Sequence, residues 1–231
     1  MKNFKLPNNE KLAVIMVGLP GSGKGTQSEF IINLLKLDYI SSGAVTRKYS
    51  KKNDKLGKEM KKRMLAGKPQ PDEMIIKAVD KEISGLKAKN GILFDNFPFT
   101  LKQASALNKF LKKRGIAKQM TFFLNVDPKN IIDRIEKRMI CTKCGKIYMI
   151  SKDKQENAKC SCGTKLIKRQ DDNPKTAKKR ISIYLPRVKR LVKFYKKQDK
   201  DKKFFEIDGN LAVLKINKAI LEKVDDYYKN A

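Results

Sequence analysis

Three groups of residues in this 231-residue chain have the types and spacing to do chemistry. The first is Gly18-Leu19-Pro20-Gly21-Ser22-Gly23-Lys24-Gly25-Thr26, which follows an apolar run and precedes a helical pattern. Glycines at this spacing let a backbone wrap closely around phosphates, with amides and a helix N-terminus facing the charge. Lys24 is placed to reach the terminal phosphates of a nucleoside triphosphate. A glycine-rich turn with no ligand is the plainer alternative. The Ser or Thr usual directly after the lysine is absent; Gly25 stands there and Thr26 follows.

The second group is the arginines. Only nine stand among 54 basic residues, so each is expected to be kept for its planar, two-pronged fork, which lysine lacks. The third group is Cys141-x2-Cys144 and Cys160-x-Cys162, which together hold every cysteine of the chain. Thiolates bind zinc, and four of them close a structural site with no open position for catalysis. The second half is one residue shorter than the usual C-x2-C. In an extended segment residues i and i+2 point to one side, which keeps both sulfurs toward one metal. A disulfide pair or four unrelated buried thiols are the alternatives, the former disfavoured in a reducing compartment.

Absences narrow the chemistry further. The chain has no histidine, which removes Ser-His-Asp hydrolysis, HExxH metalloproteases and Cys2His2 fingers. Phosphoryl transfer survives, because positioning and electrostatics carry it without an imidazole base. A net charge of +30 fits either a phosphate-rich partner or a surface of solvated lysines. The lysines are spread in doublets among acids, with no aromatic-interleaved basic stretch, so no specific nucleic acid is expected. Non-specific RNA contact at low salt is the alternative. No apolar run approaches the ~20 residues of a membrane span, and MKNFKLPNNEK lacks the apolar segment of a secretory signal. A cytoplasmic monomer is expected.

These residues need a scaffold, and the apolar pattern supplies one. Near-continuous apolar runs at 12–17, 91–95, 120–126 and 204–207, with a weaker one at 38–40, predict strands buried on both faces and hence parallel. Helical patterns lie between them at 25–36, 72–89, 100–113, 128–138 and 174–198. Pro128 and Pro174 suit first-turn positions, and Thr100 and Asn173 suit N-caps. The alternation predicts an α/β open sheet wrapped by helices. Residues 41–70, with only helical patterns, and 139–170, with all the cysteines, read as insertions on that sheet.

GLPGSGKGTQ resembles the signature loop of the adenylate kinase family of nucleoside-monophosphate kinases, and the resemblance extends from about residue 12 to 228. It carries through SSGAVTR, LGKEMKKRMLAGKPQPDEM, ILFDNFPFTLKQA, IIDRIEKRMIC, KRQDDNPKTAKKR and IDGN. The cysteine cluster is similar to the zinc-bearing lid of the long bacterial members. The resemblance implies a five-stranded parallel P-loop kinase fold: core 1–40, 71–136 and 173–231, NMP-binding insertion 41–70, zinc lid 137–172. It implies transfer of a phosphoryl group from ATP to AMP, with magnesium accompanying ATP and zinc held by Cys141, Cys144, Cys160 and Cys162. ATP is implied to meet Gly21, Ser22, Gly23, Lys24, Gly25, Thr26, Arg138, Ile147, Tyr148 and Leu211. AMP is implied to meet Ser42, Arg47, Lys68, Pro69, Gln70, Asn96, Phe97, Pro98, Phe99, Gln103, Arg169 and Arg180. Lys24, Arg134, Arg138, Arg169 and Arg180 would neutralise phosphoryl charge, and Asp95 would organise the magnesium.

Two departures stand out. The family loop DGFPRT reads DNFPFT here, so Asn96 replaces a glycine and Phe99 an arginine that holds the acceptor phosphate. Ala44 replaces a common aspartate. The resemblance therefore implies an acceptor site short of one clamp, which Phe99→Arg would restore. The alternatives are another monophosphate as acceptor, a catalytically weakened nucleotide binder, or a site that has adapted through a nearby cation such as Lys68.

Overall fold

The computed structural model describes residues 10–169, 172–198 and 202–229; most of the polar lead-in expected at the N-terminus lies outside the described residues. Strand β1 (Leu12–Val17) is six apolar residues, none more than 3% exposed. An unbroken apolar run is what a strand covered on both faces requires. It pairs in parallel with β3 (Gly91–Asp95) and β4 (Lys118–Asn125), while β2 (Asp38–Ser41) pairs outside β3 and β8 (Lys202–Asp208) outside β4. The order β2-β3-β1-β4-β8 is the expected five-stranded parallel sheet.

Alternation along β1 divides the core in two. Leu12, Val14 and Met16 face α1 (Lys24–Leu35) and α8 (Val213–Lys229), meeting Ile31, Leu35, Ile216 and Ile220. Ala13, Ile15 and Val17 face the opposite cluster. That cluster gathers residues of α4 (Asp72–Ser84), α5 (Leu101–Lys113), α6 (Pro128–Lys137) and α7 (Pro174–Lys196). Each large aliphatic side chain buried there contributes roughly 1.5–3 kcal/mol. The caps form as expected: Thr100 accepts from the Gln103 amide, Asn173 from the Thr176 amide, and both prolines occupy first-turn positions. Such caps contribute about 1 kcal/mol each.

The helical insertion holds α2 (Ser42–Tyr49) and α3 (Lys55–Leu65). The cysteine-bearing segment folds as a small antiparallel sheet, β6-β5-β7, from β5 (Arg138–Cys141), β6 (Ile147–Met149) and β7 (Leu166–Ile167). Two helices depart most from the sequence pattern. Helix α4 stops at Ser84 and not at Lys89: Gly85 caps it, and Ala88 turns with φ 47° while its amide donates to Asp38 Oδ2 at 2.6 Å. Helix α8 has no counterpart in the sequence expectation. Among the described residues no helix is long and apolar enough to cross a membrane.

Candidate active site

The chain leaves β1 for α1 on one face of the sheet, and leaves its neighbours β3 and β4 for α5 and α6 on the other. In open α/β sheets the crevice beyond the strand ends at such a point is where ligands bind. A cavity of about 760 Å³ lies there, lined by the glycine loop, the α2 and α3 insertion, the loop after β3, and the cysteine-bearing segment.

The floor is the glycine loop. Gly23 holds a left-handed backbone (φ 97°) that only glycine adopts freely, and α1 starts directly after it with no side-chain cap and no acid in its first turn. The first-turn amides therefore remain available for an anion. Lys24 Nζ folds back into the loop, donating to the carbonyls of Gly18 and Leu19 at 2.9 Å each. Burial pulls its pKa down to about 8, against a raising influence of Asp95 and with a further lowering one from Arg138.

Asp95 ends β3 beside this loop and is only 8% exposed. Its Oδ2 accepts from the Tyr39 hydroxyl at 2.9 Å, and Oδ1 is buried with no hydrogen-bond partner. Burial, and then the Asp95 charge, hold the Tyr39 proton firmly. An orphaned carboxylate oxygen beside a phosphate loop is a donor that suits a hydrated magnesium.

The opposite wall joins the loop after β3 to the insertion. Ser42 Oγ donates to the Asn96 carbonyl at 2.6 Å, and Asn96 Nδ2 donates back to Ser42 Oγ at 3.2 Å. Asn96 takes φ 56°, a left-handed turn that asparagine tolerates better than most residues. Gln103 accepts from the Phe99 amide (2.7 Å) and donates to Asp72 Oδ1 (2.8 Å), while Thr100 donates to Asp72 Oδ2. Arg63 Nε holds the Pro69 carbonyl, and Gln70 Nε2 the Met60 carbonyl, bracing the 68–70 loop. Arg47, Lys68, Arg169 and Arg180 line the space between the two sides.

Arg134 and Arg138 are each held by two hydrogen bonds. Arg134 spans the carbonyls of Ser22 (3.2 Å) and Gly209 (2.8 Å), tying the glycine loop to the turn before α8. Arg138 pairs through both prongs with Asp172, itself with a side chain 0% exposed.

The roof belongs to the small sheet. Ile147 and Met149 of β6 line the cavity, and Ile147 Cδ1 comes within 3.7 Å of where a Cβ on Gly25 would lie. The four cysteine sulfurs of the same segment all lie within 4.8 Å of one another. Adjacent pairs are 3.4, 3.5 and 4.0 Å apart. A tetrahedron with Zn–S of ~2.3 Å separates its sulfurs by roughly 3.8 Å. The cluster fits a closed four-thiolate site, and the shortened second half still delivers both sulfurs. The Cys162 amide and the Tyr148 hydroxyl pull the Cys160 thiol down to about 5.

The adenylate kinase family model matches residues 16–200. The chain belongs to the adenylate kinase family. It is 36% identical over 214 residues to the adenylate kinase of Finegoldia magna, covering 91% of this chain and 98% of that protein. It is 35% identical over 212 residues to that of Dehalococcoides mccartyi (91% and 97%) and 35% over 211 residues to that of Clostridium perfringens (90% and 96%). The chain is a nucleoside-monophosphate kinase.

Most of the nucleotide-site residues that the adenylate kinase resemblance singled out line this cavity, from Gly21 through Thr26 to Arg180 and Leu211. Three of them do not. Phe97 is fully buried in the core, and Pro98 beside it is absent from the lining. Tyr148 turns away from the cavity, because alternation along β6 sends it to the cysteine side, where its hydroxyl meets Cys160 Sγ at 3.2 Å. Phe99 lines the cavity, but its ring packs on Tyr184 of α7, centroids 4.3 Å apart, with Arg187 Cζ 5.9 Å from the ring. Sequence reasoning missed Tyr39, Asp72, Asp172 and Tyr184. The doublet Asp171-Asp172 beside an arginine was a signal for one of them; the others reach the site through contacts no spacing reveals.

Proposed function

We propose that this chain transfers the γ-phosphoryl group of ATP to AMP, giving two ADP, reversibly. The observation that supports it is a single cavity joining the phosphate loop to a second, separately built wall, with cationic side chains from several elements between them. Two nucleotides bound from opposite sides would meet at those cations. A phosphate oxygen of AMP then attacks the γ-phosphorus, the bond to the β–γ bridging oxygen breaks, and ADP leaves.

In this reading the amides of 21–26 and Lys24 hold the ATP phosphates, with Ile147 and Leu211 beside its base. Ser42, Arg47, the 68–70 loop, Asn96, Phe99 and Gln103 hold AMP. Arg138, Arg169 and Arg180 gather the charge spread over the transferring oxygens. Arg134 keeps the glycine loop in register with the turn at Gly209. No general base is needed, since the attacking oxygen is already anionic. Asp95 would hold magnesium through Oδ1, which when bound neutralises phosphate charge. The four cysteines would hold zinc, which stiffens the lid without touching substrate. The lid, about 137–172, closes on the core and the 41–70 insertion closes on AMP, excluding water so that hydrolysis does not compete. The protein works as a cytoplasmic monomer.

The burial of Phe99 favours a second reading, in which the same fold takes another monophosphate or turns over slowly. A coupled assay of ATP with AMP, CMP, UMP, GMP and dTMP separates them. Highest kcat/KM with AMP is expected. Preference for a pyrimidine acceptor, or ATP binding with no turnover on any, refutes the AMP assignment.

A further inference from the structure

The two halves of the cysteine cluster are not built alike. In the first, Cys141 Sγ receives the Cys144 amide at 3.4 Å, and Gly145 N closes the turn on the Cys141 carbonyl. In the second half the turn is a residue shorter: Gly163 N closes on the Cys160 carbonyl after only Ser161 and Cys162. Cys160 Sγ receives one amide, that of Cys162 at 3.5 Å. A buried thiolate left with one donor is under-supported, and metal-bound thiolates depend on such outer contacts for their orientation.

Tyr148 stands beside this sulfur. Its hydroxyl lies 3.2 Å from Cys160 Sγ and accepts the Ser161 amide, also at 3.2 Å. With that amide on the oxygen, the hydroxyl proton has two acceptors within reach, Cys160 Sγ and Ser161 Oγ at 3.3 Å, and the charge of a thiolate makes sulfur the stronger one. The same oxygen therefore holds the amide the short turn leaves over and returns a donor to the thiolate.

We propose that the Tyr148 hydroxyl supplies a second donor to the Cys160 thiolate beside the single amide of its C-x-C turn, and so positions Cys160 for the metal. This rests on the reading that the four cysteines hold zinc. The arrangement also links the metal to the nucleotide cavity. Tyr148 is the middle residue of β6, and its neighbours Ile147 and Met149 face the cavity from the other side of the strand. An ordered half-site therefore fixes the register of the roof over the phosphate loop. Tyr148 is a positioning residue of the metal site and makes no contact with substrate.

Tyr148→Phe tests this, since it keeps the ring that packs among Met139 and Leu166 and removes only the hydroxyl. Full-length wild type and variant, purified without chelator, are compared for zinc content, zinc transfer to a chromogenic chelator, and KM for ATP in excess zinc. Wild type is expected to carry one zinc. The variant is expected to surrender it roughly 10- to 100-fold more readily, the usual cost of losing an outer-shell partner, with KM for ATP unchanged. In the cobalt-substituted proteins the thiolate-to-metal charge-transfer band should shift, a signature that loosened packing alone does not produce. Equal zinc retention with an unshifted band overturns the proposal. A raised KM for ATP with normal retention also overturns it and makes Tyr148 a nucleotide contact. Wild type free of zinc overturns the metal reading itself, and this inference with it.

Discussion

Replacing Phe99 by arginine separates two accounts of the acceptor site. From the family pattern, the change restores a phosphate clamp and raises kcat/KM for AMP by roughly 10- to 100-fold. The structure leads to the opposite expectation. The Phe99 ring is 6% exposed and packs on Tyr184 at 4.3 Å, a pairing that contributes about 0.5–1.5 kcal/mol. Arg187 Cζ lies 5.9 Å from the ring centre, so a guanidinium there meets a like charge costing about 3 kcal/mol at an effective dielectric of ~20. One charged hydrogen bond to AMP returns roughly 1.5–3 kcal/mol, and only in the complex. The cost exceeds the gain. Phe99→Arg should therefore leave kcat/KM for AMP flat or reduced and should lower the melting temperature by about 6 °C or more. Steady-state kinetics with AMP varied at saturating ATP, beside thermal melts, measures both. Adding Arg187→Ala to the variant should recover part of each loss. A tenfold rise in kcat/KM with an unchanged melting temperature refutes the reasoning and returns the position to a missing clamp.

Other expectations follow from the same geometry. Lys24→Ala should lower kcat/KM by roughly 10²- to 10³-fold with the fold intact by circular dichroism; near-normal turnover would end the kinase assignment for this loop. Because burial sets the Lys24 pKa near 8, kcat/KM for ATP should fall as pH rises through about 8. A profile still flat at pH 9 contradicts that. The effect on stability has the other sign: the folded pKa lies below the unfolded one, so this group's contribution improves with pH from about 8 to the ordinary lysine value of 10.5. Asp172→Asn breaks a pair whose side chains are 12% and 0% exposed, and should cost about 3–5 kcal/mol in denaturant unfolding; a loss under 1 kcal/mol shows that Arg138 finds another partner. Stripping the metal should lower the melting temperature, and an unaltered melt counts against a structural zinc.

Much of the framework was legible because one physical constraint produced one visible pattern. Strands β1 and β3 match their sequence expectation residue for residue, since only a strand buried on both faces needs an unbroken apolar run. Helix α8 carried an equally readable stripe, Ile216, Ile220 and Val224 at helical spacing, and was overlooked. The α4 terminus was misjudged because Leu86 and Ala88 continue the apolar pattern past the Gly85 cap, while the carbonyls there go to Arg114. Side-chain direction was harder. Motif position puts Tyr148 in the lid, but only the alternation of β6 says which face it occupies. Partners such as Tyr39–Asp95, 56 residues apart, and Arg138–Asp172, 34 apart, belong to the assembled topology and leave no trace in local spacing.

The scarcity of arginine bears on what such a count can reveal. In this lysine-rich chain four of the nine arginines each grip two acceptors. Arg134 holds two carbonyls across the site, and Arg138 holds both oxygens of one carboxylate. Arg114, far from the cavity, holds the carbonyls of Ile83 and Leu86 at the end of α4. Arg63 braces the Pro69 carbonyl while reaching Glu59. Lysine, a point charge on a flexible stem, cannot fix two acceptors in one plane. Retention of arginine therefore marks places where geometry matters more than charge, and phosphate is one such place among several. What separates Arg47, Arg138, Arg169 and Arg180 from Arg114 is that they border the same cavity as the glycine loop. A guanidinium already anchored at that border, as Arg138 is by Asp172, would neutralise phosphoryl charge without reorganising when the charge develops.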